Sequence, residues 1–150
     1  MNIAIGCDHA ALEAKREIVE YLKSLEHVML DEGTHSLKSC DYPDFAAAVS
    51  RKVQAGSAER GILICGTGIG MSIAANRFKG VRAALCYTEE LAELSRLHND
   101  ANVLCLGART QSVDSMKSIV LRWLTTEWEG ERHGSRLNKI ESNSRGQDAE

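Results

Sequence analysis

Short apolar runs alternate with helical patterns along the whole chain, and that alternation restricts the fold more than any other feature. Asn2–Gly6, Val28–Asp31, Gly61–Cys65, Val81–Tyr87 and Val103–Leu106 read as buried strands. Between them, Ala10–Leu25 carries Leu12, Ile18, Val19, Leu22 and Leu25 on one helical stripe. Asp44–Ala55, Met71–Phe78, Glu89–His98 and Ser112–Thr125 are the other helical segments, with Pro43 in the loop before the second. A strand followed by a helix, five times over, specifies an α/β domain with a five-stranded parallel sheet covered on both faces. No linker or repeat divides it, so residues 1–141 are expected to form one domain. The polar stretch Ser142–Glu150 is expected to fray.

Composition narrows the function. A net charge of −3 gives no general attraction to nucleic acid or acidic membranes, so any bound anion must be captured by a local arrangement. The N-terminus MNIAIGCDHA lacks a basic segment and a long apolar run. No stretch approaches the roughly 20 apolar residues of a membrane span. A cytoplasmic protein is expected. Cys7, Cys40, Cys65, Cys86 and Cys105 are an odd set with no C-x-x-C pair, and no His/Cys cluster has zinc-ligand spacing. No metal and no cofactor are expected, and four of the five read as buried free thiols.

Open α/β sheets bind ligands outside the carboxyl ends of their strands, which directs attention to the segments after each run. Cys65-Gly-Thr-Gly-Ile-Gly70 leads from a strand into a helix. Its glycines let successive N–H groups converge on a phosphate or a developing oxyanion, and the same field favours a thiolate at Cys65. The loop is not a dinucleotide fingerprint, since Met71 stands where glycine is required, nor a Walker loop, since no Gly-Lys-Ser/Thr follows. Met71 also occupies the place of a cysteine phosphatase's arginine. A purely structural glycine turn remains open at this stage. Asp8-His9 follows the first run and suits either anion binding or helix capping. His98-Asn99 closes a helix, where histidine serves as a cap or as an acid. Arg132 and Arg136, four apart, and Arg109 suit either a phosphate or pairing with Glu129 and Glu131.

Taken together, GCDHA, DYPDFA, GILICGTGIGMSIAANRFKGVRAAL, LSRLHNDANVLCLGAR and EGERHGSR resemble the ribose-5-phosphate isomerase B family, which also includes galactose-6-phosphate and allose-6-phosphate isomerases. The resemblance implies a Rossmann-like α/β/α sandwich, no metal, a sugar-phosphate substrate, and a homodimer or dimer of dimers with sites at the subunit interface. It implies Cys65 as the base moving a proton between the first two sugar carbons. His98 would open the sugar ring, with Asp8 assisting. Asp8, His9, Gly66, Thr67, Gly68, Ile69, Gly70, Asn99, Arg109, Arg132 and Arg136 match substrate-binding positions, and the Thr67 hydroxyl is a further donor to the oxyanion. Relatives that lack the cysteine use a glutamate further along the loop. Here Ala75 stands ten residues on, with no acid nearby, so the chain is of the cysteine type. Two rival readings are a nucleotide-binding regulatory module and one half of a hetero-oligomeric galactose-6-phosphate isomerase.

Overall fold

The computed structural model describes residues 1–145. Five strands, β1 (Asn2–Cys7), β2 (Val28–Asp31), β3 (Arg60–Cys65), β4 (Ala83–Leu85) and β5 (Val103–Gly107), form one parallel sheet in the order β2-β1-β3-β5-β4. Helices α1 (Leu12–Ser24), α2 (Tyr42–Gln54), α3 (Ile69–Ala75), α4 (Glu89–Asn99) and α5 (Val113–Thr125) connect or follow them, and α6 (Glu131–Arg145) ends the described chain.

The alternation of side chains along each strand sorts the core into two halves. Ile3, Ile5, Ile62, Ile64, Leu104 and Leu106 face one side, where they pack with Ile18 and Leu22 of α1, Ala92 of α4, and Met116 and Trp123 of α5. Ala4, Leu63, Cys65, Val103 and Cys105 face the other, against Val49 of α2 and Met71 and Ala75 of α3. Both faces are covered, so the central strands are apolar at nearly every position. Each fully buried Ile or Leu contributes about 1.5–3 kcal/mol.

Four of the five strands lie within one residue of the sequence expectation. β4 is shorter than Val81–Tyr87 because only Ala83–Leu85 pairs with β5. At its near end, the Arg82 N–H bonds the Asn102 side chain rather than a strand. Helix α3 stops three residues before Phe78, and the side chain of Asn76, its cap, both donates to the Ala83 carbonyl and accepts from the Ala83 N–H. Pro43 sits inside the first turn of α2 rather than before it, where its missing N–H costs nothing. Helix α6 continues through Ser142–Arg145, where fraying was expected. The remainder of that stretch, 146–150, lies outside the described residues.

The chain leaves β1 toward one sheet edge and β3 toward the other. Their carboxyl ends therefore flank a crevice where a parallel sheet offers a binding site.

Candidate active site

Cys65 closes β3 in that crevice and is 5% exposed. The Gly68 N–H donates to its sulfur at 3.1 Å, a bond that a charged sulfur accepts more strongly than a neutral one. The loop is pinned to the segment after β5. Ala108 N donates to the Cys65 carbonyl at 2.8 Å and Arg109 N to the Gly66 carbonyl at 2.9 Å. Gly68 has φ +80°, and a Cβ there would lie 2.6 Å from Leu85 Cδ1 and 2.8 Å from the Leu106 carbonyl oxygen. At Gly107 a Cβ would lie 2.7 Å from the Thr67 carbonyl. Only glycine allows the loop to pass so close to β5. The Tyr87 hydroxyl holds it from the other side, donating to the Thr67 carbonyl at 2.6 Å.

Three of the other four thiols separate clearly from this one, while Cys40, expected to be buried, is only half-buried in the loop before α2. Burial pushes Cys7 and Cys86 up to about 11, and pushes fully buried Cys105 up as well. These three are neutral thiols at physiological pH.

Asp8 and His9 lie beside the loop, and the Asp8 N–H donates to the Ile64 carbonyl at 3.3 Å. The Asp8 carboxylate also caps the following turn through the Ala10 N–H at 3.0 Å, so the capping reading holds for one of its oxygens. Nδ1 of His9 faces the Cys40 backbone, 3.2 Å from its N–H and 3.3 Å from its carbonyl oxygen, so the ring is anchored there and its Nε2 edge is turned away from that contact. Arg109 lays its guanidinium over Gly66, with Nη1 3.3 Å from where a Cβ would stand. The crevice thus combines a sulfur, a glycine loop whose Gly68 N–H is turned to that sulfur, a carboxylate, an imidazole and a guanidinium.

His98, Asn99, Arg132 and Arg136 are elsewhere. Helix α4 runs back from the carboxyl edge and ends beside the amino end of β5, where Asn102 accepts from the Gly61 N–H. β5 separates this place from Cys65 by about 13 Å, four strand steps of roughly 3.3 Å. One chain therefore does not bring the two groups of residues together.

At this second place α6 packs against the end of α4. The His98 ring lies 4.5 Å from that of His133, centroid to centroid. Glu129 Oε2 is 3.3 Å from His133 Nε2 and 4.0 Å from His98 Nε2. His133, which sequence reasoning missed, is 4% exposed. Its position between Arg132 and Arg136, on the same helical segment, was the available signal.

His98, Glu129 and His133 present ligand atoms within 4.8 Å of one another, a grouping of metal-ligating residue types that no sequence spacing showed. The neighbours do not suit a cation. Arg132 Nε lies 3.3 Å from His133 Nε2 and Arg136 Nη1 3.4 Å from His133 Nδ1. A neutral imidazole can accept at only one of those nitrogens. Whichever tautomer is present, a guanidinium is left with a donor to place. That surplus of donors and positive charge fits an anion such as phosphate.

A family model described as Ribose/Galactose Isomerase matches residues 3–140. The chain belongs to that family. Ribose-5-phosphate isomerase B of Escherichia coli K12 is 46% identical over 139 residues, 93% of each protein. Among solved structures, Clostridium thermocellum ribose-5-phosphate isomerase B superposes with a TM-score of 0.97 at 46% identity, covering 98% of this chain and 99% of that one. The Mycoplasma genitalium enzyme, solved with bound ribulose-5-phosphate, gives a TM-score of 0.93 at 43% identity over 96% of both chains.

Proposed function

We propose that this chain is an aldose–ketose isomerase interconverting ribose 5-phosphate and ribulose 5-phosphate through an enediolate. The observation that carries this reading is Cys65 at the carboxyl end of β3, with the Gly68 N–H on its sulfur, in a chain that matches isomerases over its length. The Mycoplasma genitalium relative holding ribulose-5-phosphate supports the pentose phosphate as substrate.

Proton transfer between adjacent carbons needs a base near the carbon, an acid for ring opening, and donors for the oxyanion. The Cys65 thiolate removes the proton from the second carbon and returns it to the first. N–H groups of Gly66–Gly70 and the Thr67 hydroxyl stabilise the oxyanion between the two steps. His98, assisted by Asp8, protonates the ring oxygen so that the furanose opens. Arg132 and Arg136 grip the phosphate, and His9, Asn99 and Arg109 orient the sugar.

These roles require Cys65 and His98 to meet. With the two at opposite ends of the sheet, a second copy of the chain must supply one of them. A two-fold dimer, in which the carboxyl-edge crevice of one protomer faces the α4–α6 corner of its partner, completes two equivalent sites.

The reading is tested by assaying the purified chain with ribose 5-phosphate, allose 6-phosphate and galactose 6-phosphate in the presence of EDTA. Turnover of ribose 5-phosphate well above that of the hexose phosphates is expected, undiminished by chelation. Preference for a hexose phosphate would move the substrate assignment. A loss that divalent ions restore would overturn the metal-free mechanism.

A further inference from the structure

We propose that Arg82 is a positioning residue for the half-site of His98 and Asn99, setting where they stand relative to the arginines of α6. The proposal rests on the isomerase reading above. Arg82 lies just before β4, and its own backbone is fixed first. Its N–H donates to Asn102 Oδ1 at 2.8 Å, and its carbonyl accepts from the Asn102 N–H at 3.0 Å. The Asn102 amide in turn donates to the Gly80 carbonyl at 2.8 Å.

From that anchor the guanidinium reaches two elements at once. Nε donates to the carbonyls of Asn99 and Asp100, each at 3.1 Å. Nη2 meets Asp100 Oδ2 and Nη1 meets Glu141 Oε1, also each at 3.1 Å. The last carbonyls of a helix have no partner within it, and a cation there also complements the helix dipole. Arg82 meets both needs at the end of α4, one residue from His98.

Asp100 is the pivot. It adopts φ +44°, a conformation uncommon outside glycine. Its other oxygen accepts from Arg96 Nη1 at 2.8 Å. Arg96, 2% exposed, also donates to the carbonyls of Ala101 at 2.7 Å and Thr126 at 3.2 Å. Glu141 lies five residues beyond Arg136 on α6. The corner bearing the proposed ring-opening acid and the helix bearing the proposed phosphate grip are thus referred to one side chain. A lysine, a single ammonium without the planar fork, cannot reproduce that set of bonds. These contacts are all to protein groups, so Arg82 acts through His98 and Asn99.

The test compares Arg82→Gln, Arg82→Lys and Glu141→Gln with the wild type. Small misplacements of catalytic groups reduce turnover by up to about a hundredfold. Arg82→Gln should therefore lower kcat at least about tenfold, and Arg82→Lys should be intermediate. Glu141→Gln, which removes the charge from the α6 contact and leaves the bonds of Arg82 to Asn99 and Asp100, should raise KM more than it lowers kcat. The His98 Cε1–H resonance in proton NMR feels the His133 ring and should move in Arg82→Gln.

Wild-type kcat and KM in Arg82→Gln would overturn the proposal. So would a loss that merely follows the unfolded fraction while the His98 resonance stays in place. Should Arg82→Gln not fold, unaltered kinetics and spectra in both Arg82→Lys and Glu141→Gln would be equally decisive. If the wild-type chain isomerises no sugar phosphate, the isomerase reading fails, and the His98 resonance alone decides whether Arg82 sets that corner.

Discussion

Five thiols in one chain show how far environment separates identical side chains. Cys65 accepts an N–H at the mouth of a crevice, while burial raises Cys7 and Cys86 to about 11. A thiol whose folded-state pKa is raised stays protonated, and therefore unreactive, until the pH approaches that value. Limited iodoacetamide treatment at neutral pH should label Cys65 ahead of Cys7, Cys86 and Cys105, and turnover should fall in step. Sugar phosphate should protect it. Peptide mass spectrometry checks the order, and labelling of Cys86 before Cys65 would remove the crevice thiol from the mechanism. Cys65 stood out in the sequence because a cysteine, a run of glycines and a strand end coincide within six residues. His133 did not, because its meaning comes from His98 and Glu129, which sequence distance hides.

The elements were legible where burial on both faces writes a continuous apolar run, as in β1, β3 and β5. Legibility declined at the margins. β4 is a sheet edge that pairs for three residues: the Asn102 side chain takes the Arg82 N–H before it, and the Gln111 side chain takes the Cys86 carbonyl after it. Helix α6 has little apolar surface to announce it; His133 and Leu137 are its buried residues among those described. Its charge pattern alone favoured a solvated face or pairing with Glu129 and Glu131 over a phosphate grip, and Arg132 does lie 4.0 Å from Glu129. The contact of both arginines with His133 favours the grip. Replacing either Arg132 or Arg136 by Ala should raise KM for ribose 5-phosphate by about tenfold or more, with circular dichroism unchanged, since a charge-assisted bond to phosphate contributes about 1.5–3 kcal/mol. Unaltered kinetics in both variants would restore the solvated-face reading.

At the scale of the molecule, parallel topology both builds the site and divides it. Each helix that follows a strand returns the chain from the carboxyl edge to the amino edge, so residues at strand ends and residues at the ends of those helices are held apart. Cys65 at the end of β3 and His98 at the end of α4 are held apart in this way, and the account stands on their meeting across two protomers. The direct measurement is complementation. Cys65→Ala and His98→Asn chains, each nearly inactive alone, are mixed in equal amounts, unfolded and refolded together. Random pairing makes about half of the molecules heterodimers, and each heterodimer has one site with both lesions and one with neither. Activity should return to about one quarter of the wild-type value. No recovery, with heterodimers verified by native mass spectrometry, would contradict the shared site.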